Sequence, residues 1–400
     1  DFQVKVRGHR IELGEIEAAL TAHQEVEAAV ALTVGGRHDP RIAAHVVRAA
    51  EATGPLIQTL QVDSAAAVAA WQGAEEAAAL QVEDLGVPLA ELGAWLGDLE
   101  AISTVAIART LAGFDLFSDA KGWSVAEIMA HCGIDGRYQR LVSQWLDVLA
   151  AEGLIAAEGE RFTAPSPLAA APLLEPAHQA AIDARIDAVV ADLPQLGPSV
   201  ALMRDVFSAH RALLTGASDM LSVLFPSGAT GRAIDLYETT PTLHYQNTVA
   251  AAAIGAFLDA RRAASPARPL RILEVGAGVG ATTASVLPVL PDGVDYVFTD
   301  VSSFFLERAR QRFVDQPSMR FGLFDLNEAP EAQGYAPHSF DVIVTSQVLH
   351  NAQDLGVSLR ALRRLLAPGG LLAAVDFVKN TRSQLAAMGF MPGFNLYRDD

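Results

Sequence analysis

Between residues 270 and 378, short apolar runs alternate with amphipathic segments, and the first run ends in glycines spaced by single residues. The apolar runs cover 270–275, 296–299, 319–324, 340–345 and 371–377; residues 282–290, 303–313 and 355–366 carry helical periodicity. Apolar strands joined by helices leave few topologies: the strands run parallel, the crossovers are right-handed and helices cover both faces. The pattern predicts an α/β fold with ligands at the carboxyl ends of the strands. Function is therefore sought at those ends.

After the first run stands Glu274-Val275-Gly276-Ala277-Gly278-Val279-Gly280. Glycines allow a tight turn and the close approach of a ligand, and the following helix offers free N–H groups. The same turn is compatible with a role in packing alone. The next strand leads to Asp300, where an acid can accept both hydroxyls of a ribose. Asp325-Leu326-Asn327 follows the third strand, where an acid can meet an adenine amino group. The G-x-G-x-G spacing departs from the fingerprint that cradles a pyrophosphate, so an adenosyl ligand without one fits better than a dinucleotide. His350 follows the fourth strand and Asp376 lies near the end of the fifth, so the two are expected to face each other.

The chain's 400 residues suggest two or three domains. A formal charge of −18 disfavours nucleic acid as a partner. No stretch approaches the roughly 20 apolar residues of a membrane span. The single cysteine, Cys132, excludes an intrachain disulfide framework and a multi-cysteine zinc site, and fits a reducing, cytoplasmic compartment. No two histidines stand at metal-ligand spacing, so no catalytic metal is expected. Without an initial methionine or an apolar signal segment, the chain reads as an excised piece of something longer. Residues 51–265 are mainly helical. Within them 124–163 has winged-helix grammar: Ser124 capping a helix, a second helix over 138–151, and a wing of 153–155 with 161–163. The acidic balance makes this a lid or interaction module rather than a DNA reader. Residues 263–269 form a linker. Residues 1–50 read as a strand over 3–7, a helix over 12–23, and strands over 25–34 and 42–47 joined by a turn at 35–40.

The run from Ile272 through Thr283, with Tyr296-Val297-Phe298-Thr299-Asp300-Val301-Ser302, resembles the class I S-adenosylmethionine (SAM) methyltransferases. The type built into polyketide and nonribosomal peptide synthetases is the nearest in pattern, through Ser346-Gln347-Val348-Leu349-His350-Asn351-Ala352, Leu365 through Gly370, and Met388 through Phe394. The resemblance implies a Rossmann-like core, incomplete at its C-terminus because a final antiparallel hairpin is expected beyond Asp400. It implies SAM held by Glu274, Gly276, Gly278, Gly280, Asp300, Asp325, Leu326 and Ser346. In those carbon-methylating domains a histidine paired with a glutamate stands where this chain has His350 and Asp376, the aspartate being one methylene shorter. The implied chemistry is proton removal α to a thioester carbonyl by His350, oriented by Asp376. Tyr245, with Tyr237 and His244, is expected at the active-site mouth. The tryptophan pair usual after the last glycine is replaced by Phe394-Asn395.

Residues 1–17 carry a second resemblance, to the eighth core motif of nonribosomal peptide adenylation domains, with Asp1 at the hinge between subdomains. The lysine motif that should close the small subdomain is missing. Together the two imply an interrupted adenylation domain: 1–50 the start of its small subdomain, 51–265 a helical, winged lid, and 266–400 the SAM-binding core. The implied partners are a phosphopantetheinylated carrier protein and the remaining adenylation domain. The implied acceptor is an aminoacyl or thiazoline-type thioester in secondary-metabolite (siderophore) biosynthesis, with carbon favoured over nitrogen. The rivals are an epimerase using the same base and a non-catalytic structural insert.

Overall fold

In the first 62 residues the alternation becomes two antiparallel ladders and a helix. β1 (Gln3–Val6) pairs with β2 (His9–Glu12), α1 (Leu13–Thr21) follows, and β3 (Val26–Val34) pairs with β4 (Arg41–Arg48). The Glu17 carboxylate accepts the Ala31 N–H (2.9 Å) and so ties α1 to β3. The strand β2 escaped the sequence reading. The computed structural model describes residues 3–6, 9–21, 26–34, 41–48, 64–81, 87–394 and 396–398. Asp1, the turn 35–40, Asn395 and Asp400 lie outside them. The chain falls into two compact units, residues 1–62 and 63–400.

The second unit begins with helices α2 (Ser64–Leu80) and α3 (Leu89–Ala112). Next comes the winged segment, β5 (Trp123–Ser124), α4 (Val125–Cys132), α5 (Gln139–Ala151), β6 (Ala156–Glu158) and β7 (Arg161–Thr163), whose strands form a sheet in the order β5-β7-β6. Ser124 caps α4 as expected: its Oγ accepts the Glu127 N–H (3.2 Å) while Glu127 accepts the Ser124 N–H (2.9 Å). The first wing strand lies three residues later than expected. Gly153, at φ +69°, turns the chain out of α5, the Leu154 N–H returns to Leu149 O (3.0 Å), and Ile155 is spent in the core. Then follow α6 (Pro176–Asp192), α7 (Gly197–Leu214), α8 (Met220–Leu224), α9 (Gly231–Thr239) and α10 (Pro241–Ala264).

The core alternates as the sequence predicts: β8 (Leu270–Val275), α11 (Ala281–Val286), β9 (Val294–Asp300), α12 (Ser303–Arg312), β10 (Met319–Leu323), β11 (Phe340–Ser346), α13 (Leu355–Leu365) and β12 (Leu366–Val375), followed by α14 (Arg382–Ala387). The five strands form one parallel sheet in the order β10-β9-β8-β11-β12. The chain winds outward from β8 in one direction, then returns to β8's other side with β11, which makes a switch point there. Leu270 and Ile272 pack in one cluster with Ala70 of α2 and Ile254, Phe257 and Leu258 of α10, whereas Leu273 and Val275 face Leu362 and Leu365 of α13. The expected border at 265/266 thus falls inside this unit. α11 ends before 290 because Pro288 has no N–H to continue it and a 3₁₀ turn takes over at Leu287–Val289.

The helical region grips α14. The Glu100 carboxylate of α3 accepts the N–H groups of Arg382 (2.9 Å) and Ser383 (3.0 Å), and the Trp145 indole N–H of α5 donates to Leu385 O (3.1 Å). His210 of α7 places Nε2 2.8 Å from Ala386 O and Nδ1 2.9 Å from Thr110 Oγ1. Burial pushes this imidazole down to about 4, against the Ala386 carbonyl that favours its charge, so it stays neutral.

Candidate active site

At the switch point lies a cavity of about 530 Å³, within the range of small-molecule sites. Gly276, Gly278, Asp300, Asp325, Leu326 and Ser346, all expected from the sequence, line it. Gly278 sits at φ +54°, and a Cβ there would meet nothing within 4 Å, so this glycine presents open backbone to the cavity. Its N–H donates to Asp300 Oδ2 (2.9 Å), and the Ser302 N–H donates to Oδ1 (2.8 Å). Each carboxylate oxygen keeps acceptor capacity for a further donor. Burial raises the Asp300 carboxyl above its ordinary value, against the N–H groups of Ser302, Gly278 and Val301, which favour the charge. The main chain at Asp325 is held on both sides by the Gln333 amide (2.7 and 2.9 Å).

Two expected cofactor contacts stand elsewhere. Glu274 follows the period of Leu270 and Ile272, which turns its side chain under α11 rather than toward the strand end. It is buried and accepts the hydroxyls of Thr283 and Tyr296, the latter at 2.7 Å. Burial pushes its carboxyl up to about 7, against those two hydrogen bonds. Gly280 caps α11 at φ +79°, and a Cβ there would stand 2.7 Å from the Phe313 ring. Packing explains Gly280; the open cavity explains Gly278. Tyr245, on α10, is half-buried and lines neither this cavity nor the next, and His244 is exposed. Tyr237 lines both cavities.

A second cavity, of about 230 Å³, abuts the first, with Tyr237, Leu243, Gln347, Asn351 and Met391 lining both. His350 lies in its wall. His350 Nδ1 is 2.8 Å from Asp376 Oδ1, which also accepts the Phe377 N–H (2.8 Å), while Asp376 Oδ2 accepts the His350 N–H (3.3 Å). The shorter aspartate reaches the ring because it directly follows β12 while a 3₁₀ turn, Leu349–Asn351, carries His350 toward it. Burial acts to raise the Asp376 carboxyl. The bond and charge of His350 and the N–H groups of Phe377 and His350 outweigh that and hold it below its ordinary value. With Nδ1 committed, Nε2 is the ring nitrogen available for chemistry.

Sequence reading missed Gln347, Asn351 and Trp95 as parts of this wall. Gln347 adopts φ +58°, which no residue pattern announces, and Trp95 arrives from α3, far upstream.

Residues 273–372 match the family model of a methyltransferase domain. Pyochelin synthetase PchF of Pseudomonas aeruginosa is 35% identical over 95% of this chain, which spans about a fifth of that protein's length. The crystal structure of the CurJ carbon methyltransferase superposes with a TM-score of 0.74 at 24% identity, covering 83% of this chain and 85% of CurJ, and so supports the fold. The DszA carbon methyltransferase superposes at 0.68 with 27% identity, covering 76% of this chain and 77% of DszA. An adenosyl group suits the donor set present: open backbone at Gly278, two acceptor oxygens at Asp300 and an apolar wall at Leu326. The chain carries a SAM-dependent methyltransferase domain that resembles the carbon-methyltransferase domains of polyketide and nonribosomal peptide synthetases.

Proposed function

We propose that this domain, inside a nonribosomal peptide synthetase, methylates an acyl group carried as a thioester on the phosphopantetheine arm of a carrier protein, and that the α-carbon of an aminoacyl or thiazoline-type unit receives the methyl. The reading is carried by the His350–Asp376 pair in the wall of a cavity that shares a boundary with the adenosyl cavity. The match to PchF over nearly the whole chain supports a synthetase setting. The adenylation-like residues 1–17 support a split adenylation domain as the host, with siderophore-type metabolism as the context. The lone, buried thiol of Cys132 supports the cytoplasm as the compartment; among the described residues no helix is long and apolar enough to cross a membrane.

SAM supplies a methyl carbon made electrophilic by its sulfonium. Gly276, Gly278, Asp300, Asp325, Leu326 and Ser346 would hold it. Asp376 fixes the His350 ring by Nδ1, so Nε2 takes the α-proton. With SAM bound, the electron pair released on carbon would form the new C–C bond while the S–CH₃ pair would stay on sulfur, and the His350 imidazolium returns its proton to water. Asp376, held ionised, stabilises that imidazolium.

Mass spectrometry of a loaded carrier protein incubated with SAM tests the reading. A gain of one methylene with loss of an α-deuterium label supports it; a gain with the label retained points to nitrogen. Exchange of the label without a mass gain would establish the epimerase, and an unchanged thioester would leave a structural insert.

A further inference from the structure

Among the described residues, nine buried side-chain polar atoms lack a hydrogen-bond partner; Trp95 Nε1 and Thr240 Oγ1 belong to the wall of the smaller cavity, and Gln347 Oε1 and Asn351 Oδ1 to residues on its boundary with the larger one, the Asn351 oxygen lying toward Gly393 of the larger cavity. Trp95 and Thr240 are each only 2% exposed. A buried polar group without a partner is costly, and such groups are few in native proteins. Trp95 and Thr240 in the otherwise largely apolar wall of the smaller cavity, with Gln347 on its boundary, point to a ligand that completes them. The chemistry of each atom restricts that ligand. An indole N–H only donates, so Trp95 asks for an acceptor atom. Gln347 spends its Nε2–H₂ on Gln246 Oε1 (3.1 Å), which leaves its carbonyl oxygen to ask for a donor. Trp95 and Thr240 come from the helical wall, Gln347 and Asn351 from the core wall that also carries His350.

Size narrows the ligand further. An engineered cavity of about 150 Å³ holds benzene, so one of about 230 Å³ takes about nine non-hydrogen atoms. That is one five-membered ring with its thioester group.

We propose that the smaller cavity is a heteroatom-selective acyl pocket for a single ring-sized unit. In it the Trp95 indole N–H donates to a ring heteroatom or carbonyl of the acceptor, and the Gln347 carbonyl oxygen, on the boundary with the larger cavity, takes its N–H. This rests on the methyl-transfer reading for the pocket's purpose, but binding tests it without turnover. The probes are N-acetylcysteamine thioesters of tetrahydrofuran-2-carboxylate and cyclopentanecarboxylate, which differ by one ring oxygen. They are titrated by calorimetry into the full chain saturated with S-adenosylhomocysteine. The oxygen-bearing probe is expected to bind about tenfold more tightly, the worth of one buried hydrogen bond. Replacing Trp95 with β-(3-benzothienyl)alanine keeps the two-ring shape and removes the N–H, and the preference should vanish; W95F serves as a second variant. S-adenosylhomocysteine affinity reports that each variant is folded. Equal affinity for both probes in the unmodified protein, or a preference that survives both substitutions, overturns the proposal. A domain that shows the preference yet never methylates a thioester would overturn the methyl-transfer reading instead.

Discussion

The two cavities are built in opposite ways. The larger is floored by the α/β core and closed by residues of α8, α9 and α10, and its decisive groups are the open backbone of Gly278 and a carboxylate braced by the main-chain N–H groups of Gly278 and Ser302. The smaller is assembled from side chains of α3, α7, the α9–α10 junction, α14 and the turn around His350. Backbone geometry repeats wherever a strand meets a glycine turn, so the first cavity serves any chemistry that needs the same donor. Side-chain walls are free to differ, so on the proposed reading the second would set which acceptor is used.

If this division holds, each half can be damaged alone. The largest effect should come from H350A, which removes the proposed base: methyl transfer is expected to fall by about 10²–10⁴-fold, with S-adenosylhomocysteine affinity unchanged by calorimetry. A parallel loss of that affinity would break the comparison. D300A should do the reverse. Loss of the charged acceptor proposed for the ribose hydroxyls is expected to weaken S-adenosylhomocysteine by about 10–100-fold, while thioester probes bind as before. H210F should act on the smaller cavity through α14: it leaves the Ala386 carbonyl without its buried partner, costs about 1–3 kcal/mol in denaturant unfolding, and weakens the thioester more than the nucleoside.

Glu274→Gln should be the mildest change and should touch neither ligand. In the folded protein the Glu274 carboxyl lies at about 7 against an ordinary 4.5, so the folded state binds the proton more tightly than the unfolded one. Stability therefore falls as pH rises from 4.5 through 7, and the amide should flatten that slope in thermal melts. A slope identical to that of the parent would mean that Glu274 is not the group responsible.

The same contrast explains what could be read from sequence. Gly276, Gly278, Asp300, Asp325, Leu326 and Ser346 were legible because strand ends and spacing locate them along a short stretch of chain. Glu274 and Gly280 belong to the same motif but were misplaced. The strand's two-residue period turns Glu274 under α11, and the Phe313 ring claims the space beside Gly280. His350 and Asp376 were expected to face each other as neighbours of adjacent strand ends, and they lie within hydrogen-bond distance. Trp95 was invisible because its place depends on how α3 packs, and Tyr245 was misplaced because helix phase on α10 turns Gln246 and Asn247 toward the larger cavity instead. The winged segment was recognisable from Ser124 as a helix cap and the apolar face of the helix that follows Tyr138, though Gly153 moved the first wing strand.

The grip on α14 has a practical consequence. Glu100, Trp145 and His210 reach it from three separate helices, so an engineer who trims the chain to its Rossmann-like half would keep the glycine turn and Asp300 yet remove the helical side of the larger cavity and the supports of the smaller one. Transplanting the domain therefore calls for a junction placed upstream of α2, whose Ala70 packs with β8.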